Sequence, residues 1–294
     1  MPASDSNLTP SLENPVAALL AEGETDAALA AATQALVSAR TAAAGEPNLM
    51  PQLVEALDQL AIVREAAGKV AEAAAHYNEA LELAEKAGLG RHRKSRLRIA
   101  LATLLDFNDQ EAGALPLYEQ AIEDLEALEP PDIETSGQLR NNVALIYKRQ
   151  GKFALAEQHY LRAVEALEKT TGDATVEYAS LYNNLGSLYY TAGFADQARE
   201  VFTTALKLRE QLLGAIHPDV AQSHGNIAAV HYELGNNEVA MQSFEAALHI
   251  LENNLPEKSA SFQATGEDYL ALLGSIGEDA KAAELQKRMQ KALA

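Results

Sequence analysis

The fold of this chain is decided by two segments, ASLYNNLGSLYYTAGFADQAREVFTTALKLRE (residues 179–210) and AQSHGNIAAVHYELGNNEVAMQSFEAALHILE (residues 221–252), which align without a gap. Counted from the start of each segment, position 8 holds a small residue and position 15 holds Gly. Positions 20, 24 and 27 hold Ala, Phe and Ala in both segments. Such agreement at a fixed spacing is typical of a repeated structural unit.

The same frame recurs along the chain, with starts near residues 54, 95, 137, 179, 221 and 263. The last copy is weaker, and a turn glycine at Gly23 followed by spaced alanines suggests a degenerate first copy. Position 15 is Gly in every copy except one, where Asp109 replaces it; both residue types tolerate the left-handed backbone that ends a helix. The small and aromatic residues at positions 20, 24 and 27 have helical spacing, which predicts a pair of helices in each copy.

Helix pairs of this kind cannot bury their apolar faces alone, so neighbouring pairs must stack. We therefore predict an all-α fold, a right-handed superhelical solenoid of helix-turn-helix repeats over residues 54–294. Residues 9–53 are predicted to hold the degenerate first repeat and a loop at residues 41–51. Residues 1–8 have no apolar periodicity and are predicted to form a flexible tail.

The pattern of small and aromatic residues resembles the tetratricopeptide repeat, and the 42-residue period resembles the kinesin-light-chain type of that family. The stretches NNVA from residue 141, NNLG from residue 183 and LGAIHPDVA from residue 213 are similar to that type. The resemblance implies a non-enzymatic adaptor that binds other proteins. A link to bacterial tubulin-like filaments, which a few small members of this type accompany, is a further implication of the resemblance.

The charge balance excludes several classes of function. The 294 residues contain 23 Lys and Arg against 42 Asp and Glu, a net charge of −19, with no Cys and no Trp. Nucleic-acid binders need clustered cations, and disulfide frameworks and most structural zinc sites need cysteine, so we expect neither nucleic acid nor metal as a partner. The first basic residue is Arg40 and no apolar run is long enough to cross a bilayer, which predicts a cytoplasmic protein without a transmembrane segment.

A ladder of asparagines is the first candidate for binding. Position 6 holds Asn142, Asn184 and Asn226 in successive repeats, and position 5 holds Asn141 and Asn183. Both positions are expected to face the concave groove of the solenoid, where amides can hold the backbone of an extended peptide. The resemblance implies that role for position 6. Alternatively, these side chains bond to neighbouring helices or to water.

A basic run, RHRKSRLR at residues 91–98, is the second candidate. It is predicted to span a loop and the start of a first helix, and more cations follow in the next repeat. The residues proposed for a basic strip in the groove are Arg96, Arg98, Arg140, Lys148 and Arg149. Such a strip would attract an acidic partner, whereas in the alternative reading the cations balance neighbouring carboxylates.

Positions 12 and 32 of the repeat also hold the same residue type in more than one copy. Tyr190 and Tyr232, both at position 12, can provide flat amphipathic anchors for a partner or pack against the adjacent first helix. Position 32 holds a glutamate in five copies, where the shorter form of the repeat has the Pro that ends the second helix. These residues are Glu85, Glu126, Glu168, Glu210 and Glu252. We predict a solvated acidic ridge, because carboxylates about 10 Å apart cannot share one ion.

The sequence nominates no catalytic residue and no cofactor, since no phosphate-binding, nucleophile-elbow or metal-ligand motif occurs. We therefore expect a non-enzymatic adaptor or scaffold that holds an extended or acidic segment of another protein in its concave groove. The alternatives are a peptide-sensing regulatory protein and, more remotely, an accessory subunit of an enzyme. The amphipathic last helix, within residues 280–294, is predicted either to cap the solenoid or to seat a second copy.

Overall fold

The computed structural model of the chain describes residues 15–171 and 175–293, with the side chains of residues 170 and 171 also left out. The flexible tail predicted for residues 1–8, and the first residues of the predicted first repeat, lie outside this range. The described residues form 14 α-helices and one short 3₁₀ helix, and no strand occurs among them. The prediction of an all-α fold is confirmed.

The helices follow one another in pairs joined by short turns. Their bounds are α1 Pro15–Ala21, α2 Thr25–Gly45, α3 Met50–Ala66, α4 Val70–Lys86, α5 Arg91–Asp106, α6 Glu111–Glu126, α7 Ile133–Arg149, α8 Phe153–Thr171, α9 Val176–Thr191, α10 Ala195–Leu213, α11 Pro218–Glu233, α12 Asn237–Glu252, α13 Ser259–Ser275 and α14 Asp279–Ala292. From α3 onward, each first helix of a pair begins three or four residues before the predicted start of its repeat.

The chain divides into two compact units, Met1–Leu139 and Arg140–Ala294. In the first unit each helix from α1 to α6 packs against the next. In the second unit the same succession runs from α8 to α14. Within each unit the helix pairs therefore stack on their neighbours, as the repeat predicts.

The core of each pair is built from the repeated small and aromatic residues. The alanines at positions 20 and 27 are fully buried in all five well-matched copies, and so are the small residues at position 8. The aromatic residues at position 24 are at most 5% exposed; they are Tyr77, Tyr118, Tyr160, Phe202 and Phe244. The spacing that identified the repeat is thus the spacing of side chains that the two helices of a pair bury against each other.

Turn geometry follows the prediction for position 15. Every glycine at this position has a positive φ, between 70° and 83°. Asp109 takes the same conformation with φ 58°, the one such non-glycine residue among the described residues. The short polar side chain of aspartate tolerates this left-handed backbone, so the turn between α5 and α6 keeps the shape of the others.

The prediction of a loop at residues 41–51 is wrong. α2 continues to Gly45, a 3₁₀ turn spans Pro47–Leu49, and α3 begins at Met50. Alanines 42 to 44 extend α2 because alanine is the best helix former, and Pro47 begins the 3₁₀ turn, where its missing N–H costs nothing.

None of the helices in the described residues combines the length and the apolar character needed to cross a bilayer.

Candidate functional site

The asparagine ladder joins the first helices of neighbouring pairs. Asn184 in α9 donates from Nδ2 to Oδ1 of Asn141 in α7 at 2.9 Å, and Asn226 in α11 donates in the same way to Asn183 in α9 at 2.8 Å. Both bonds join residues 43 apart, so position 6 of one repeat is tied to position 5 of the repeat before it. The third member of the column, Asn142, accepts a bond of 3.3 Å from its neighbour Asn141. Bonding between neighbouring helices, the alternative role, is therefore present in the structure.

The ladder leaves part of each amide group open. Nδ2 carries two hydrogens, and Asn184 and Asn226 each use one of them in the ladder. Oδ1 of these two residues accepts no hydrogen bond within the part of the chain that the structure describes. Contact of these groups with a peptide stays a prediction, and the ladder fixes how the amides are oriented for it.

Both candidate tyrosines line one cavity of about 490 Å³ in the second unit. We call it the tyrosine pocket; its walls are Tyr190, Gln222, Gly225, Asn226, Ala229, Tyr232, Phe244, Thr265, Asp268, Ala271 and Leu272. Except for Phe244 of α12, these residues belong to α9, α11 and α13, so the pocket opens on the face of the first helices. Tyr190 and Tyr232 are 36% and 39% exposed, and the Tyr232 hydroxyl donates to Ser275 Oγ at 3.0 Å. The structure thus brings three predicted site residues together, since Asn226 lines the same pocket as the two tyrosines.

The three candidate cations of α7 differ from one another in burial. Lys148 donates from Nζ to Ser187 Oγ of α9 at 2.6 Å, and burial lowers its pKa. Arg140 is buried, whereas Arg149 is exposed. Both arginines interact with other residues of the protein. Lys148 is therefore bonded to α9, the helix that carries Asn183 and Asn184.

The basic run at residues 91–98 lies entirely within α5, which begins at Arg91 after Gly90. The expectation that it includes a loop is wrong. All five cations of the run pair with carboxylates of α3, α4 or α6. The pairs are Arg91 with Asp124, Arg93 with Glu55, Lys94 with Glu85, Arg96 with Asp58, and Arg98 with Glu85 and Asp124. The run therefore balances neighbouring carboxylates, which is the alternative stated above.

Arg98 is the most enclosed member of the run. It is 8% exposed, and its guanidinium donates to Glu85, to Asp124 and, at 3.2 Å, to Gln120. These partners come from the two helices that flank α5. Arg98 links three helices and does not reach the surface as the basic-strip prediction requires, whereas Arg96 stays 56% exposed at 3.9 Å from Asp58.

Three of the glutamates of position 32 make contacts that the sequence did not predict. Glu85 holds Lys94 and Arg98 of the following helix. Glu168 accepts a hydrogen bond of 2.6 Å from the Tyr178 hydroxyl, and Glu252 pairs with Arg288 at 2.8 Å. Glu85, Glu126, Glu168 and Glu210 are exposed, as the ridge prediction requires, while Glu85, Glu168 and Glu252 also bind a group of a later helix.

One residue of the pocket was missed by the sequence reasoning. Asp268 lies 42 residues after Asn226 and therefore holds position 6 of the last repeat. Position 6 holds Asn in three successive repeats and Asp in the last one, so a prediction based on amide side chains does not include Asp268. The register alone contains the signal, because one more step of the same period reaches a pocket residue.

Metal and acid–base chemistry find little support in the described residues. No group of three or more His, Asp or Glu side chains among them could hold a metal ion. Burial lowers the pKa of His224 and of His231, which favours neutral rings packed in α11.

The last helix is held on its inner face. Leu285 and Met289 are buried, and Arg288 pairs with Glu245 at 2.9 Å and with Glu252 at 2.8 Å, both in α12. These contacts fit a capping helix. Self-association through the outer face stays a prediction.

Comparison with known families gives a match over more than half of the chain. The sequence model of the tetratricopeptide repeat matches residues 52–127, 135–193 and 177–253. A comparison with curated proteins finds no match.

Several solved structures are similar to this chain. The crystal structure of BtubC (BKLC) from P. vanneervenii is 30% identical, with a TM-score of 0.63 over 77% of this chain and 90% of that one. The nearly identical TPR-like repeats of a Podosopora anserina kinesin light chain are 18% identical, with a TM-score of 0.58 over 69% of this chain and 97% of that one. The C-terminal part of a TPR repeat-containing protein from Cytophaga hutchinsonii is 14% identical, with a TM-score of 0.65 over 94% and 93%. The last two similarities concern the fold alone.

Proposed function

Because the chain belongs to the tetratricopeptide repeat family, in its kinesin-light-chain type, we propose that it is a non-enzymatic adaptor whose first-helix face in the second unit holds an extended segment of a partner protein. Repeats of this family are generally protein-interaction scaffolds, and that much follows from membership. The face, the extended form of the ligand and a cytoplasmic location belong to the proposal.

The tyrosine pocket is the observation that supports the binding face. Two half-exposed aromatic rings and an oriented amide line a cavity of about 490 Å³, which is within the usual range for ligand sites. Tyrosine gives large contact area at low cost in side-chain entropy and is enriched among residues that dominate binding energy. A partner segment lying across α9, α11 and α13 could place one side chain in this pocket while its backbone meets the asparagine ladder.

Replacing Tyr190 and Tyr232 together by Ala is expected to reduce capture of native partners at least tenfold, since aromatic anchors in a binding pocket each contribute about 2 kcal/mol or more. The measurement is quantitative mass spectrometry of proteins retained from a lysate of the source cells. Leu161→Ala, at a 49% exposed residue of α8, provides the matched control. Equal retention by all three proteins would place binding outside the pocket and refute the proposal.

A more specific role is a link to a tubulin-like cytoskeletal filament. It rests on the kinesin-light-chain type of the repeat and on the 30% identity with BtubC. We expect the purified protein to co-sediment with polymers of a bacterial tubulin-like protein, and not with actin-like polymers run as the control. Absence from the tubulin-like pellet, or equal amounts in both pellets, would refute the link.

Three other expectations from the sequence stay predictions. An acidic partner was predicted from a basic strip in the concave groove, and the structure pairs all five cations of residues 91–98 with carboxylates. Peptide sensing and an accessory role beside an enzyme are the remaining alternatives, and no described feature favours either over an adaptor.

A further inference from the structure

The asparagine ladder does not continue into the last repeat, and the residues at its next two positions explain why. Each of its bonds runs from position 6 of one repeat to position 5 of the repeat before it, as from Asn226 to Asn183. The next bond of the series would join residue 268 to residue 225, again 43 residues apart. Residue 268 is Asp, and residue 225 is Gly, which has no side chain to bond with. The third bond of the ladder therefore cannot form.

The missing bond leaves a carboxylate without a partner. Asp268 is exposed, and its side chain makes no hydrogen bond or ion pair within residues 15–171 and 175–293. A Cβ built on Gly225 would meet no atom within 4 Å, so the space at position 225 is open. Both residues line the tyrosine pocket. The pocket thus occupies the place where the next pair of ladder side chains would lie.

The walls of the tyrosine pocket carry one negative charge and no positive charge. Asp268 is the one charged residue among its walls, which are otherwise aromatic, aliphatic or neutral and polar. Burial, with the negative charges of Glu233 and Asp268, raises the pKa of Tyr190, so both carboxylates act on the ring at the pocket edge. An unpaired carboxylate beside low-dielectric aromatic walls attracts cations and repels anions.

We propose that the tyrosine pocket is a subsite for a basic side chain, lysine or arginine, of the extended partner segment. This inference rests on the proposed function and gives the bound segment the opposite charge to the one expected from the basic run. The cation would pair with Asp268, while its methylene stem packs against Tyr190 and Tyr232. The faces of these rings attract a cation as well. An acidic side chain in the same place would meet Asp268 and be repelled.

Three fluorescein-labelled nonapeptide mixtures test the charge preference. Their three central positions are Lys and Arg, Gln and Asn, or Asp and Glu, and their other positions are randomised without charged residues. Measured by fluorescence anisotropy, the basic mixture is expected to bind at least tenfold more tightly than the acidic one. The difference is expected to shrink as salt is added, because exposed charges are screened.

Two substitutions test the pocket itself. Asp268→Asn removes the charge and keeps the shape. Gly225→Asn supplies the amide found at position 5 of the two preceding repeats, so it fills the pocket and can donate to Asp268. Asparagine is no worse than glycine inside a helix, so this variant is expected to fold. Each substitution is expected to weaken binding of the basic mixture about tenfold. The control Glu200→Gln, at an exposed residue of α10 outside the pocket, is expected to leave that binding unchanged.

The outcomes separate this proposal from the one on which it rests. Tightest binding of the acidic mixture by the wild-type protein, or unchanged binding of the basic mixture by Asp268→Asn, overturns the basic subsite and leaves the tyrosine pocket as the binding face. Equal binding of all three mixtures by the wild-type protein, together with loss of that binding in the double tyrosine variant, also overturns the basic subsite and leaves the pocket as the binding face. No binding of the basic mixture up to about 1 mM also overturns the subsite. Retention of native partners by the double tyrosine variant overturns the proposed function itself.

Discussion

Phe202→Ala is expected to lower the free energy of unfolding of the second unit by about 3–5 kcal/mol. The ring lies at position 24 of its repeat, is 2% exposed, and packs with Ala198, Ile227 and Val230. The opposing residue in α9 is Gly186, and a Cβ there would come within 2.6 Å of the ring. Because the ring fills the space that a glycine leaves, neither helix can close over the cavity without moving its backbone. The measurement is urea denaturation followed by far-UV circular dichroism.

The control for this prediction is Phe194→Ala, which removes the same side chain from the start of α10. Phe194 is 52% exposed, so its loss is expected to change the unfolding free energy by less than about 1 kcal/mol. Equal losses from the two variants would show that position 24 does not organise the pair. The repeat would then be a pattern of composition without a matching core.

The core could be predicted from the sequence because its determinants are local and recur. Ala198, Phe202 and Ala205 lie within eight residues on one helix, and the same spacing returns in each pair. Stacking then follows, since a pair with one apolar face needs a neighbour. The prediction of a loop at residues 41–51 was wrong for a related reason. The first copy of the repeat is degenerate there, so the alanines that extend α2 do not mark positions of the repeat.

The charged residues could not be placed in the same way. Whether Arg98 faces a groove or a carboxylate depends on Glu85 and Asp124, which lie in other helices, 13 and 26 residues away. Sequence gives the charge of each side chain but not the direction in which a helix turns it. Asp268 is a different case, because the column of position 6 reaches it without any knowledge of the fold. The sequence thus located the ladder, and the structure was needed to show which of its bonds is missing.

Arg98→Ala is expected to lower the free energy of unfolding of the first unit by roughly 3 kcal/mol, because it leaves the enclosed Asp124 with only the more distant Arg91, at 4.0 Å, as a cation neighbour. The Arg98 side chain is 10% exposed, and its partner Asp124 is 15% exposed. Its second partner, Glu85, is 44% exposed and keeps Lys94 as a neighbour, so most of the loss is expected to come from Asp124. Urea denaturation again provides the measurement.

The exposed pair of Arg40 and Glu79 offers a matched control in the same unit. Its two side chains are 50% and 40% exposed, so Arg40→Ala is expected to cost less than about 1 kcal/mol. The double variant Arg98→Met with Asp124→Leu removes the cation and its buried partner together. It is expected to recover most of the stability that Arg98→Ala loses, because replacing both members of a buried pair by apolar residues is often neutral.

The same variants decide between the two interpretations of the basic run. If Arg98 holds α4, α5 and α6 together, Arg98→Ala loses stability, and the double variant recovers it while retaining partners as the wild-type protein does. If the run is instead a surface for an acidic partner, Arg98→Ala leaves stability unchanged and retention falls in both variants. The number of ion pairs on α5 favours the first result. Five cations in two helical turns would repel one another and the positive end of the helix dipole unless carboxylates of neighbouring helices compensated them.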